Sequence, residues 1–247
     1  PGMLAAAQQV WHELDQMPAV KATFYGEGLI QAMARKYRPK PDASEKPLAN
    51  IIGISKPELI SATYRELNAQ LHQQNLAYGV GGAKHAPTVL KMLADPKLRS
   101  VLDYGCGKGM LGKALAEQGI PIWEYDPAVT GKDEAPRAAD LVVCTDVLEH
   151  IEPERILYVL DDLRRVTRKV GYFVIHTGPS SKSLPDGRNT HLLQRDRAWW
   201  SKMLRKFFTV GAIRETPPLL HVVVGPKAKG KAVAGSTSVA AAQEAIA

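Results

Sequence analysis

An apolar run that gives way at once to glycines on alternate positions, Val101-Leu102-Asp103-Tyr104-Gly105-Cys106-Gly107-Lys108-Gly109-Met110-Leu111, restricts this chain more than any other stretch. A strand has to end near Tyr104, a sharp turn has to follow, and a helix has to begin close to Met110. Glycine accepts the left-handed backbone such a turn needs, and it has no side chain to hold a ligand away from bare peptide. The free N–H groups at the start of the following helix favour an anion at the same place. The stretch therefore reads as the binding turn for a nucleotide-like cofactor. The dinucleotide pattern of glycine, one residue, glycine, two residues, glycine or alanine does not fit, because Met110 stands where the third small residue belongs.

The length of 247 residues suits one α/β domain with appendages. No apolar run approaches the ~18 residues that span a bilayer, and the first residues lack the basic, apolar, small-residue order of a signal peptide. The expectation is a cytoplasmic protein without membrane insertion. Cys106 and Cys144, with no C-x-x-C partner, support neither a disulfide framework nor a zinc site, so both read as small buried residues and no metal is expected. The formal net charge of +7 is concentrated between Arg164 and Lys231. Such a bias can attract nucleic acid or an acidic substrate, or it can be a set of solvated helix faces and a basic tail.

Apolar residues before Arg35 have helical spacing, and residues 35–47 are polar and proline-rich, as in a linker or exposed loop. A helix is predicted from Pro57 through Leu71, closed by the turn Gly79-Val80-Gly81-Gly82, and a short one from Pro87 to Leu93. After the glycine turn come a helix stopping at Gly119, a strand over Ile120–Tyr125 and a strand over Ala139–Cys144. Pro153–Val170 reads as one helix ended by Gly171, and Tyr172–His176 as a strand. Ala198–Phe207 reads as a helix, with two strands over Phe208–Ile213 and Leu220–Val224. The alternation predicts a doubly wound, mostly parallel α/β sheet with an antiparallel last strand. The divisions are a helical extension or cap over 1–99, a cofactor-binding domain over 100–226 and a low-complexity tail over 227–247.

In open α/β sheets ligands bind beyond the carboxyl ends of the strands, so Asp103 to Gly109, Asp126 and Thr145 to His150 should converge on one crevice. Asp126, ~20 residues past the glycines, is placed to accept from both hydroxyls of a ribose.

The acid followed by G-x-G-x-G at Asp103–Gly109 resembles motif I of the class I S-adenosylmethionine-dependent methyltransferases. Thr145-Asp146-Val147-Leu148-Glu149-His150-Ile151 is similar to the D-V-L-E-H-I signature of small-molecule and quinone-type members. The resemblance covers Ser100 to Lys227 and implies S-adenosylmethionine as cofactor, held by Asp103, Gly105, Cys106, Gly107, Gly109, Asp126, Thr145, Asp146, Val147 and Leu148. It implies Asp103 near the ammonium, directly or through water, the helix start after Gly107 near the carboxylate, and the 145–148 backbone near the sulfonium. His150, His176 and His191 are candidates for deprotonating an oxygen or nitrogen acceptor. Glu149 and His150 equally suit hydrogen bonds that fix the loop. The chain departs from the family between Asp126 and Leu141, where the third-strand region is abbreviated and the adenine-side acid falls to Asp133 or Glu134. The stretches 64–79 and 187–192 also look like unassigned methyltransferases of bacteriophages and proteobacteria.

The implied acceptor is a small molecule. RNA or DNA acceptors, through the basic C-terminal half, and a non-catalytic subunit of a virion or complex remain as alternatives. The oligomeric state is not implied by these residues.

Overall fold

The computed structural model describes residues 58–227. The expectations for the helical segment before Arg35, the proline-rich stretch 35–47 and the tail past Lys227 lie outside the described residues. The chain runs α1 (Ala62–Gln74), a 3-10 turn (Gly81–His85), α2 (Ala86–Leu93), β1 (Val101–Tyr104), α3 (Met110–Ala116) and β2 (Trp123–Tyr125). It continues with β3 (Ala139–Thr145), a 3-10 turn (Leu148–His150), α4 (Ile156–Val166), β4 (Thr167–His176), α5 (Arg197–Phe207), β5 (Phe208–Thr216) and β6 (Leu219–Pro226).

Among the described residues the strands form one sheet in the order β2-β1-β3-β4-β6-β5. The first four are parallel, while β6 inserts antiparallel between β4 and β5. The expected α/β class, the antiparallel last strand and the missing third strand are all present. Residues 127–138 hold Pro127, Gly131 and Pro136 among polar side chains and form no strand, so β2 is the sheet's edge.

Every residue of β1 and β3 is buried, as parallel strands covered on both faces require. Because successive side chains point to opposite faces, the strands divide between two cores. Leu102, Val142, Cys144 and Phe173 pack with α4, α5 and Tyr64 of α1, while Val101, Leu141, Val143 and Tyr172 pack with α2 and α3. The helices α1 and α2 are thus part of the same two layers. Cys106 and Cys144 are both buried free thiols.

Two boundaries differ from the helical spacing. The predicted helix over Pro153–Val170 ends at Val166, and the backbone straightens directly into β4. Thr167 pairs with Ala139 and Val170 with Leu141, so sheet pairing overrides the local helical pattern. Gly171 consequently terminates no helix. It lies within β4, where a Cβ would fall 2.6 Å from a Val224 methyl and 2.9 Å from the Phe173 ring. Helix α1 starts after Ser61, not at Pro57, because the Ser61 hydroxyl accepts from the Tyr64 N–H at 3.1 Å and caps the first turn.

Candidate active site

The carboxyl ends of β1 to β4 open on one side of the sheet into a cavity of about 540 Å³, within the range that holds small molecules and cofactors. Asp103 and Gly105 to Gly107 enter it after β1, Asp126 after β2, Thr145 to Val147 and His150 after β3, and His176 after β4. Tyr64, His72, Tyr78, Gly79 and Lys84, from the segment before β1, line it as well.

The glycines owe their identity to close packing. A Cβ on Gly105 would meet a Val147 methyl at 2.3 Å, and one on Gly107 would meet the Gly79 carbonyl oxygen at 2.7 Å. Both residues, with Gly109, have positive φ. The amides from Gly105 to Gly109 all find partners within the protein: two on the Tyr125 carbonyl, then the Asp126 carboxylate, the Gly79 carbonyl and the Cys106 carbonyl. The open N–H groups expected of this turn are therefore engaged, and α3 begins only at Met110. Gly109 caps that helix beside Glu124 and Lys132 and is outside the cavity lining. Leu148, fully buried in the core shared by α4 and α5, lies behind the wall.

Two carboxylates face the cavity from neighbouring strands. The Asp126 carboxylate accepts from Gly107 N–H and Ala128 N–H, each at 2.9 Å. Asp103 is 3% exposed, and burial pushes its carboxyl up to about 7, with the Glu124 and Asp126 charges adding to the effect. Asp146 adopts a left-handed backbone at φ 56°, a strain typical of functional turns, and its carboxylate pairs with Lys84 at 2.7 Å.

The three candidate histidines come from distant parts of the chain and meet here. The His150 and His191 ring centroids are 4.7 Å apart, as are those of His176 and His191. His191 Nδ1 lies 2.7 Å from the Gly178 carbonyl, which can only accept, so the proton sits on Nδ1 and Nε2 keeps a lone pair. Burial, with the neighbouring His191, pushes His150 down to about 3. Glu149 is fully buried. Its Oε1 accepts from the His176 N–H at 2.9 Å, Oε2 has no partner, and burial pushes the carboxyl up to about 8.

Lys84, His72 and Tyr78 were not singled out from sequence. The one signal for them was the Gly79-Val80-Gly81-Gly82 run, which marks the backbone approaching the glycine turn. Asp133 instead accepts from the Gly131 N–H at 3.1 Å, and neither Asp133 nor Glu134 lines the cavity. Within the basic stretch, Arg164, Arg165, Lys169, Arg188 and Arg197 each face a carboxylate. No helix among the described residues is long and apolar enough to cross a membrane.

A doubly wound sheet with an inserted antiparallel last strand and a cavity at the strand ends defines the class I methyltransferase fold. Residues 71–215, more than half of the chain, match the model of a methyltransferase domain, and the protein belongs to that family. The match begins well before Ser100, as the packing of α2 into the sheet layers would suggest. Among curated proteins none matches the sequence. The 1,6-didemethyltoxoflavin-N1-methyltransferase of Burkholderia thailandensis, solved with 1,6-didemethyltoxoflavin and S-adenosylhomocysteine, shares the fold at 15% identity and a TM-score of 0.51, over 76% of this chain and 94% of that one. More distant is human N-acetylserotonin methyltransferase in complex with S-adenosylmethionine, at 16% identity and a TM-score of 0.48, over 75% and 64%. Magnesium protoporphyrin IX methyltransferase from Synechocystis PCC 6803, with S-adenosylhomocysteine, stands at 13% and 0.45, over 84% and 98%.

Proposed function

We propose that this protein transfers a methyl group from S-adenosylmethionine to an oxygen or nitrogen of a small-molecule acceptor. The observation that carries the proposal is the meeting of Asp103 and Asp126 with His150, His176 and His191 in a single cavity. The cavity suits the cofactor's chemistry. Asp103 offers a carboxylate to an ammonium, Asp126 offers one to a pair of hydroxyls, and the Thr145–Leu148 backbone follows the strained turn between them and the histidines. The group supplies an electrophilic methyl on a sulfonium.

The chain's own contribution is positioning and control of one proton. In-line methyl displacement gains most from alignment of the reacting atoms, and an acceptor hydroxyl or amine gains from losing its proton. His191 Nε2, whose lone pair is secured by the Nδ1 contact with Gly178, is the best arranged of the three imidazoles to receive it. His176 Nδ1 is 3.1 Å from the Gly178 N–H, which donates to it. Tyr64, His72 and Tyr78 line the same cavity and, in this reading, border the acceptor. A nucleic-acid acceptor draws no specific support from the basic stretch, five of whose side chains already face carboxylates.

Calorimetric titration with S-adenosylhomocysteine tests this reading. Micromolar binding is expected, weakened at least ~10-fold in Asp126→Asn by loss of charge-assisted hydrogen bonds. Absence of binding at millimolar ligand would overturn it. A panel of hydroxylated and amine acceptors with labelled S-adenosylmethionine then identifies the methylated atom.

A further inference from the structure

We propose that Glu149, His150 and His191 form a binding site for one divalent transition-metal ion in the wall of the cavity. One donor atom from each of the three residues lies within 4.8 Å of the other two. Donors on a tetrahedral zinc stand ~3.4 Å apart, so the widest pair has to close by up to about 1.4 Å, by side-chain rotation, to enclose the ion.

Two of the residues carry a buried polar atom without a partner. Glu149 is 0% exposed, yet its Oε2 is a buried oxygen with no hydrogen-bond partner, and the same is true of His150 Nδ1. An orphaned buried polar atom is costly, and two on adjacent residues of one candidate ligand set call for an explanation. His191 is also oriented from behind, as metal-ligating histidines are. His191 Nδ1–H is held by the Gly178 carbonyl at 2.7 Å, and the His150 ring packs edge-on against that of His191. His191 thereby keeps its Nε2 lone pair, and His150 Nδ1 is unpartnered. The remaining Glu149 oxygen takes the His176 N–H, which fixes the carboxylate's direction.

Two imidazoles and one carboxylate select a borderline ion such as zinc, cobalt or ferrous iron over magnesium or calcium. Three protein donors leave coordination positions open, and His150 and His191 border the cavity. The site would therefore take an acceptor through oxygen, a hydroxyl with or without a second oxygen beside it, and ease the loss of that hydroxyl's proton to solvent, His191 Nε2 then holding the ion in place of receiving the proton. This consequence rests on the methyl-transfer reading; the metal site itself does not.

The test uses untagged, metal-stripped full-length protein titrated with Co(II), followed by visible absorption and calorimetry, with S-adenosylhomocysteine titrated into the same samples. One ion per chain with ligand-field bands is expected. Affinity should fall at least ~10-fold in Glu149→Gln and in His191→Ala and stay within twofold in His221→Ala. On the wild-type Co(II) protein, proton magnetic resonance should show hyperfine-shifted imidazole N–H signals from two histidines, a readout that needs no variant to fold. No ion bound, or binding that the site variants leave unchanged, overturns the site. S-adenosylhomocysteine binding without Co(II) binding removes only this inference, whereas Co(II) binding without it removes the methyltransferase reading and leaves the metal site standing.

Discussion

Gly107 and Gly79 meet backbone to backbone: a Cβ on Gly107 would lie 2.7 Å from the Gly79 carbonyl oxygen and 2.9 Å from its Cα. The neighbouring Lys108 N–H donates to that same carbonyl at 2.9 Å. This contact fastens the segment before β1 to the glycine turn, so the cavity's two walls are set together. Gly107→Ala adds both a left-handed strain, at φ +51°, and a collision with backbone that has no flexible end to move. The variant is expected to lose on the order of 3 kcal/mol of stability and most S-adenosylhomocysteine affinity, as measured by denaturant unfolding and calorimetry.

Asp103 couples stability and binding with opposite signs. Burial raises its carboxyl from the ordinary 3.8 to about 7 in the folded protein. Between those pH values the folded state holds a proton that the unfolded chain has released, so stability falls as pH rises from about 4 to about 7 and levels off above. Asp103→Asn should match the wild type at pH 4 and be more stable at pH 8 by on the order of 2 kcal/mol. Its S-adenosylhomocysteine affinity at pH 8 should nevertheless drop ~10-fold or more, because the ammonium loses its counter-charge. Thermal unfolding across pH checks the first half, calorimetry the second. A variant that is less stable than wild type at pH 8 would refute the linkage.

Ser61 and Glu152, 91 residues apart, are joined by two short hydrogen bonds from the Ser61 N–H at 2.7 Å and hydroxyl at 2.6 Å to the two carboxylate oxygens. Glu152 is buried, so the charge makes these bonds strong and their loss expensive. Glu152→Ala is expected to cost about 2 kcal/mol, and Ser61→Ala about 1 kcal/mol through the hydroxyl and the α1 cap. Hydrogen exchange should accelerate over residues 61–75 in both variants before it changes in β1 or β3.

Gly171 sits where its strand crosses β6, with Val224 directly opposite. A methyl there collides with the Val224 side chain, and Gly171→Ala should destabilise by about 2 kcal/mol. Val224→Ala by itself opens a void, yet in combination it should recover part of the Gly171→Ala loss. A double-mutant cycle by denaturant unfolding measures the coupling, and strict additivity would count against the packing argument.

Much of the fold was legible along the chain because its signals are local. The apolar run into alternating glycines determined β1, its turn and the start of α3. The apolar stripe of α4, the buried run at Ala139–Thr145 and the polar, proline-bearing stretch 127–138 determined a parallel sheet with its third strand missing. Asp103, Asp126 and the Asp146–His150 loop followed from the rule that ligands bind at strand carboxyl ends. Tertiary structure decided the rest. Whether residues 167–170 continue a helix or open a strand depends on Ala139 and Leu141, which are nearly thirty residues away. The meeting of His150 with His191, of Gly107 with Gly79 and of Ser61 with Glu152 leaves no periodic trace, because sheet order and layer packing bring these residues together. Periodicity reports which way a side chain faces; only the closed fold decides what it faces.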